Sequence, residues 1–233
     1  REMCNYYLNY DFSIVLTLLL CLYGIIGTFV SERETQMDML LLVSPNGGRK
    51  TALAKILAAT LFLLLTSLWF SFLDLIGFAA SFQTFEGLTL LVFAIPNFAE
   101  ASVNISIFQY VLLSAALKCV GAWMMGMLWL LVSMFWKNAL LPFVINFALC
   151  MALIVSGAAC AYSNFFWTKV LNPYSLLTPR ILLGKTEFVN LGGFPVLTWQ
   201  AAIWFALIAG LVLVAAIYFL SAENCHRCVR RAK

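Results

Sequence analysis

Residues 29–56 read Phe-Val-Ser-Glu-Arg-Glu-Thr-Gln-Met-Asp-Met-Leu-Leu-Leu-Val-Ser-Pro-Asn-Gly-Gly-Arg-Lys-Thr-Ala-Leu-Ala-Lys-Ile. Before this stretch come 19 uncharged residues, Phe12 to Val30, and after it 18 more, Ile56 to Leu73. Each run is long enough to cross about 30 Å of hydrocarbon as a helix rising 1.5 Å per residue. The charges between them therefore sit at a membrane surface. Glu32, Arg33, Glu34 and Asp38 put acidic charge early, as a helix N-terminus favours. Met37, Leu40 and Leu41 follow i, i+3, i+4 spacing and share a face. Ser44-Pro45-Asn46-Gly47-Gly48 then supplies turn formers. The pattern predicts a short surface helix over about 34–43, lying across the membrane plane, and a sharp turn into the next span.

Composition agrees with a membrane protein. The chain is 64% hydrophobic and 10% charged, with mean hydropathy +0.96, whereas soluble domains carry about 25% charged residues. The ~10-residue alternating segments of a transmembrane barrel are missing. The expected class is an all-α, polytopic helical membrane protein in a single domain over 1–233, with five spans near 12–31, 53–77, 106–136, 138–163 and 199–221. Trp136-Lys137-Asn138 is so short a join that the third and fourth spans must be antiparallel neighbours. Residues 78–105 and 164–198 read as longer connections. The second is broken by Pro173, Pro179, Pro195, Gly184, Gly192 and Gly193 and favours turns and short helices. Leu88 to Ile95 ends at Pro96 and is too short to cross, so it reads as an interfacial or re-entrant piece.

Lysine and arginine set the orientation. Arg33, Arg49, Lys50, Lys55, Lys137, Arg227, Arg230, Arg231 and Lys233 fall on one side; Arg1, Lys169, Arg180 and Lys185 fall on the other. The richer side is expected to be cytoplasmic, which puts the C-terminus inside and Arg1 outside.

Several residues invite chemistry and are weighed down by context. Cys21, Cys119 and Cys150 lie in apolar runs, where a thiol acts as a small hydrophobe. Cys225-His226-Arg227-Cys228 has no second pair to complete a zinc site, so no metal ligands and no catalytic residues are assigned. Gly47-Gly48-Arg49-Lys50-Thr51 lacks the spacing of a phosphate-binding loop. Asp74, 19 residues after Lys55, and Lys118, 19 before Lys137, lie at matching depth, about 28 Å from the cytoplasmic ends. Isolated charge is costly there, so the two are read as an intramembrane polar pair; separate snorkelling to the interface is the alternative. Asn146 and Pro142 read as packing and a local kink. Gly121, Ala122 and Gly126 allow close helix approach, within the molecule or across a dimer. Asn104-Ile105-Ser106 matches a glycosylation sequon.

The stretch 32–55 resembles the coupling region of ABC-2 transporter permeases, in particular the bacitracin and lantibiotic exporter group. The resemblance rests on Glu32 and Glu34, Leu41-Leu42, Ser44-Pro45 and Lys55, with Arg49 one residue later than in many members and Gln36-Met37 where Gly-Thr is usual. It implies six spans, so a first span would precede this sequence, and a cytoplasmic coupling segment over 32–52 that docks on a separate ATPase. It further implies that ATP and magnesium are held by that partner, with no cofactor in this chain and no enzymatic site of its own. The implied partners are a cytosolic ABC ATPase, a second permease subunit (the same or homologous) and membrane lipid, with no nucleic acid. The implied activity is export of a peptide antibiotic or other amphiphile from the cell membrane. An intramembrane enzyme or a non-catalytic scaffold or sensor is the alternative; the former needs clustered catalytic groups at one depth, and no span carries two carboxylates.

Overall fold

The computed structural model describes residues 2–35, 37, 49–82, 86–95, 98–136, 138–161 and 166–231. Helices α1 (Glu2–Leu8), α2 (Phe12–Glu34), α3 (Arg49–Phe82), α4 (Ile107–Ser133) and α5 (Leu140–Ala161) come first. Three short helices follow, α6 (Phe166–Leu171), α7 (Pro173–Leu177) and α8 (Pro179–Leu183). A hairpin of β1 (Phe188–Leu191) and β2 (Phe194–Leu197) then leads into α9 (Thr198–Arg231). Five of these, α2, α3, α4, α5 and α9, are long and apolar enough to cross a bilayer.

The helices overrun the apolar runs that define them. α3 starts four residues before the expected 53 and ends five after the expected 77, and α9 continues ten beyond 221. Arg49–Ala52 and Phe78–Phe82 hold no proline, so backbone hydrogen bonding continues into the headgroup region. At 34 residues α3 is about 51 Å long, well beyond the hydrocarbon thickness. α5 begins at Leu140, not 138. This places Pro142 in the first turn, where a missing N–H costs nothing, so the cause given for a local kink there falls away.

α4 is the axis of the bundle. Its buried residues point in every direction, among them Leu117, Met125, Met127, Trp129 and Leu130. α2, α3 and α9 pack around it, each by one stripe at helical period. A Cβ on Gly126 would come within 2.3 Å of Leu63 Cδ1 and 3.0 Å of Ile25 Cδ1, and one on Gly121 within 3.2 Å of the Pro173 carbonyl oxygen. Both glycines therefore serve packing inside the molecule. α5 is a peripheral helix. Only Pro142, Asn146, Cys150 and Gly157 are buried among its described side chains, a single narrow stripe.

Chain direction puts α1, residues 86–95 and 98–106, α6–α8 and the hairpin at one end, here called the capped end. The cap has its own apolar core, in which Val92, Phe98, Ile107 and Leu183 are completely buried. Leu88 to Ile95 forms 3-10 turns in this cap; Leu91 bridges Ser106, and the Ile107 N–H donates to Leu90 O at 2.8 Å. The hairpin goes beyond the turns and short helices expected of 164–198. Gly192 and Gly193, at φ +61° and +100°, form its two-residue turn, a conformation that L side chains resist and that matches strand twist.

Ser106 starts α4 with a reciprocal cap: its hydroxyl accepts from Gln109 N–H at 3.3 Å and Gln109 Oε1 accepts from Ser106 N–H at 3.2 Å. Ser106→Ala is expected to lower stability by about 1 kcal/mol, read as a fall in the thermal midpoint of the purified protein. Ser106→Thr should restore most of it.

Candidate functional site

Two polar assemblies stand out, one at each end of the bundle. At the end opposite the cap, α2 finishes with Glu32 and Glu34, and each acidic side chain has a partner on a different helix. Glu32 forms an ion pair with Lys55 in the second turn of α3. The Lys55 ammonium also lies 4.3 Å from the centroid of the Phe29 ring, a favourable cation–π distance. Glu34 Oε1 accepts the Ala139 N–H at 2.9 Å. That N–H belongs to the turn opening α5, where backbone donors lack intrahelical acceptors and a carboxylate suits the helix dipole. The last turn of α2 thus ties together the starts of α3 and α5.

The remaining candidates in this region are placed less fully. Leu41, Leu42, Ser44 and Pro45 lie outside the described residues, as do 36 and 38–43 of the surface helix expected over 34–43; Glu34 itself is the last residue of α2. Arg49 is the first residue of α3, with its side chain outside the described set.

At the capped end, Lys118 Nζ lies 4.0 Å from Asp74 Oδ2. The Ser13 hydroxyl, in the first turn of α2, donates to the same Asp74 oxygen at 2.5 Å. Next to this group, Arg180 of α8 pairs with Asp11 at 3.1 Å and donates to Asn9 Oδ1 at 3.1 Å. Asp11, Asp74, Lys118 and Arg180 border an open cleft, with Tyr7, Tyr10 and Tyr110 on its walls. A second, small recess meets it at Lys118 and is lined in part by Ser13, Thr17, Ser67 and Ser71. Burial raises the Asp11 carboxyl above its ordinary value, while Arg180 and Lys118 pull it the other way. Burial, then the Asp74 charge, also raises the Tyr7 phenol and keeps it protonated.

Depth along the helices was enough to single out Asp74 and Lys118, but it missed Ser13, Asp11, Asn9 and Arg180. Asp11 directly precedes the first apolar run, and Arg180 follows a proline in an irregular segment. No periodicity links residues so far apart in the chain.

Five crossing helices, an apolar exterior and polar groups gathered at the two ends define a multi-pass helical membrane protein. No family model matches the chain, and no curated protein matches it.

Proposed function

We propose that the chain is the membrane-spanning permease subunit of an ATP-driven exporter. In this reading a separate cytosolic ATPase hydrolyses ATP and docks on the segment 32–52 from the side richer in lysine and arginine. A second permease subunit, the same or homologous, completes the pathway, and the cargo is a peptide or other amphiphile. The resemblance of Glu32, Glu34, Leu41-Leu42, Ser44-Pro45 and Lys55 to the ABC-2 coupling region supports it.

The observation that carries the proposal is the junction at the end of α2. A partner that shifts the segment after Glu34 pulls on Glu32 and Glu34, and these hold the starts of α3 and α5 through Lys55 and Ala139. A push at the surface is thereby shared among three membrane helices. Both carboxylates act here as internal braces, so their contribution to docking is largely positional.

The test is co-purification of the chain with its ATPase, followed by Glu32→Lys together with Glu34→Lys. Reversal sets a second ammonium against Lys55 and removes the acceptor at α5. Transport coupled to hydrolysis is expected to fall at least tenfold, about 1.4 kcal/mol of lost coupling, with membrane insertion intact because the spans are unchanged. Failure of any ATPase to accompany the wild-type chain, or unaltered coupling in the double variant, would refute the reading.

A further inference from the structure

The ion pairs at the capped end leave one charged group unfinished. Lys118 has three N–H donors and no acceptor. Among the described residues none of those donors makes a hydrogen bond: Asp74 Oδ2 is 4.0 Å away and is taken by the Ser13 hydroxyl. Asp11 pairs with Arg180 through one oxygen, Oδ2, at 3.1 Å. The Lys118 side chain is only 15% exposed and borders both cavities. An ammonium enclosed in a low-dielectric setting is stabilised most by an anionic acceptor.

The position of the cleft narrows the choice of ligand. Asp11, on the wall of the cleft, directly precedes the apolar run of α2, so the cleft sits at the level where hydrocarbon gives way to headgroups. Two of its lining residues, Tyr10 and Arg180, are exposed and mark its open side. Tyr10 packs edge-on against Phe78 at 5.3 Å, and Tyr6 stacks on Phe82 at 6.1 Å, the aromatic girdle expected at a membrane interface. Charge narrows it further. Two cations, Lys118 and Arg180, share the cleft with two carboxylates, Asp11 and Asp74. The cleft's own charges balance, so a purely anionic group would leave it net negative, whereas a zwitterion keeps the balance.

We propose that this cleft binds the headgroup of a zwitterionic phospholipid. The phosphate accepts hydrogen bonds from Lys118 and Arg180, and the ammonium faces Asp11 and Asp74. The site is independent of any ATPase partner, so it stands or falls separately from the exporter reading.

The experiment uses the full chain, purified and stripped of lipid in detergent, with the thermal midpoint followed during titration. The probes are phosphatidylethanolamine, phosphatidylglycerol and inorganic phosphate. Phosphatidylethanolamine is expected to raise the midpoint saturably, at an apparent affinity at least fivefold tighter than phosphatidylglycerol, and inorganic phosphate to have no effect at matched concentration. Lys118→Met should weaken the lipid effect at least tenfold, while Lys118→Arg stays within about threefold of wild type. Arg180→Gln, at the half-exposed mouth, should weaken it at least threefold and serves as the second variant should Lys118→Met not fold. Equal affinity for the two lipids, a full response to inorganic phosphate, or wild-type binding by Lys118→Met or Arg180→Gln would overturn the proposal.

Discussion

Glu187→Ala is expected to destabilise the cap by about 3–5 kcal/mol, the penalty for stranding a buried partner charge. Lys169 of α6 is 4% exposed, and its ammonium donates to both Glu187 oxygens at 2.7 and 2.8 Å. The Glu187 carbonyl in turn accepts from the Thr198 N–H at 3.1 Å and hydroxyl at 2.9 Å. One residue therefore joins α6, the hairpin and the start of α9, beside the small apolar cluster of Val170, Val189 and Ala201. Removing its carboxylate takes two charge-assisted hydrogen bonds from the enclosed Lys169 ammonium. Lys169→Met combined with Glu187→Met should recover most of the loss, since the double change removes both desolvated charges. Thermal unfolding of the three variants in one detergent measures this. A single variant within about 0.5 kcal/mol of wild type would show that the pair is not a structural tie.

Asn172→Ala is the second large effect, expected at about 2 kcal/mol or more from a lost cap and lost buried hydrogen bonds. Asn172 Oδ1 caps α7 by accepting the Tyr174 N–H at 3.0 Å. Its Nδ2 donates at 3.0 Å to both Leu153 O and Ser156 Oγ of α5. Asn172→Ser separates the two roles, because serine can cap but is too short to reach α5. It should recover about 1 kcal/mol. Equal stability of the Ala and Ser variants would assign the whole effect to the link with α5.

The sequence makes some parts of this fold easy to read and hides others for identifiable reasons. The five long helices follow from uncharged runs, because membrane crossing demands length and apolarity in a continuous segment. The cap is hidden because its core is assembled from short pieces: Val92 and Phe98 in turns, Leu183 in a five-residue helix. None is long enough to show a period. The hairpin had its Gly192-Gly193 signal in view, but the prolines and glycines around it read equally well as irregular turns. At the polar sites, helical depth gives height in the membrane but not direction around the axis. It can set Asp74 level with Lys118, yet it cannot say that Ser13 reaches Asp74, or that Arg180 arrives beside Asp11 from far along the chain. Glu32 and Glu34 stand out as charges, whereas their partners Lys55 and the Ala139 N–H emerge only from the fold.

The way α5 is held has a mechanical consequence. Lipid tails are as apolar as its own leucines, so no hydrophobic force keeps this peripheral helix against its neighbours. Three polar fastenings lie along its length: Glu34 on the Ala139 N–H near its start, Asn146 Nδ2 on Trp129 O at 3.3 Å, and Asn172 on Leu153 and Ser156 toward its end. The stiffness of α5 is therefore directional. Rolling or sliding breaks all three fastenings at once, while tilting about the Asn146 fastening strains mainly the end ones. α5 behaves as a lever on a central fulcrum, and a displacement at Glu34 reappears, reversed in sense, at Asn172 under the cap.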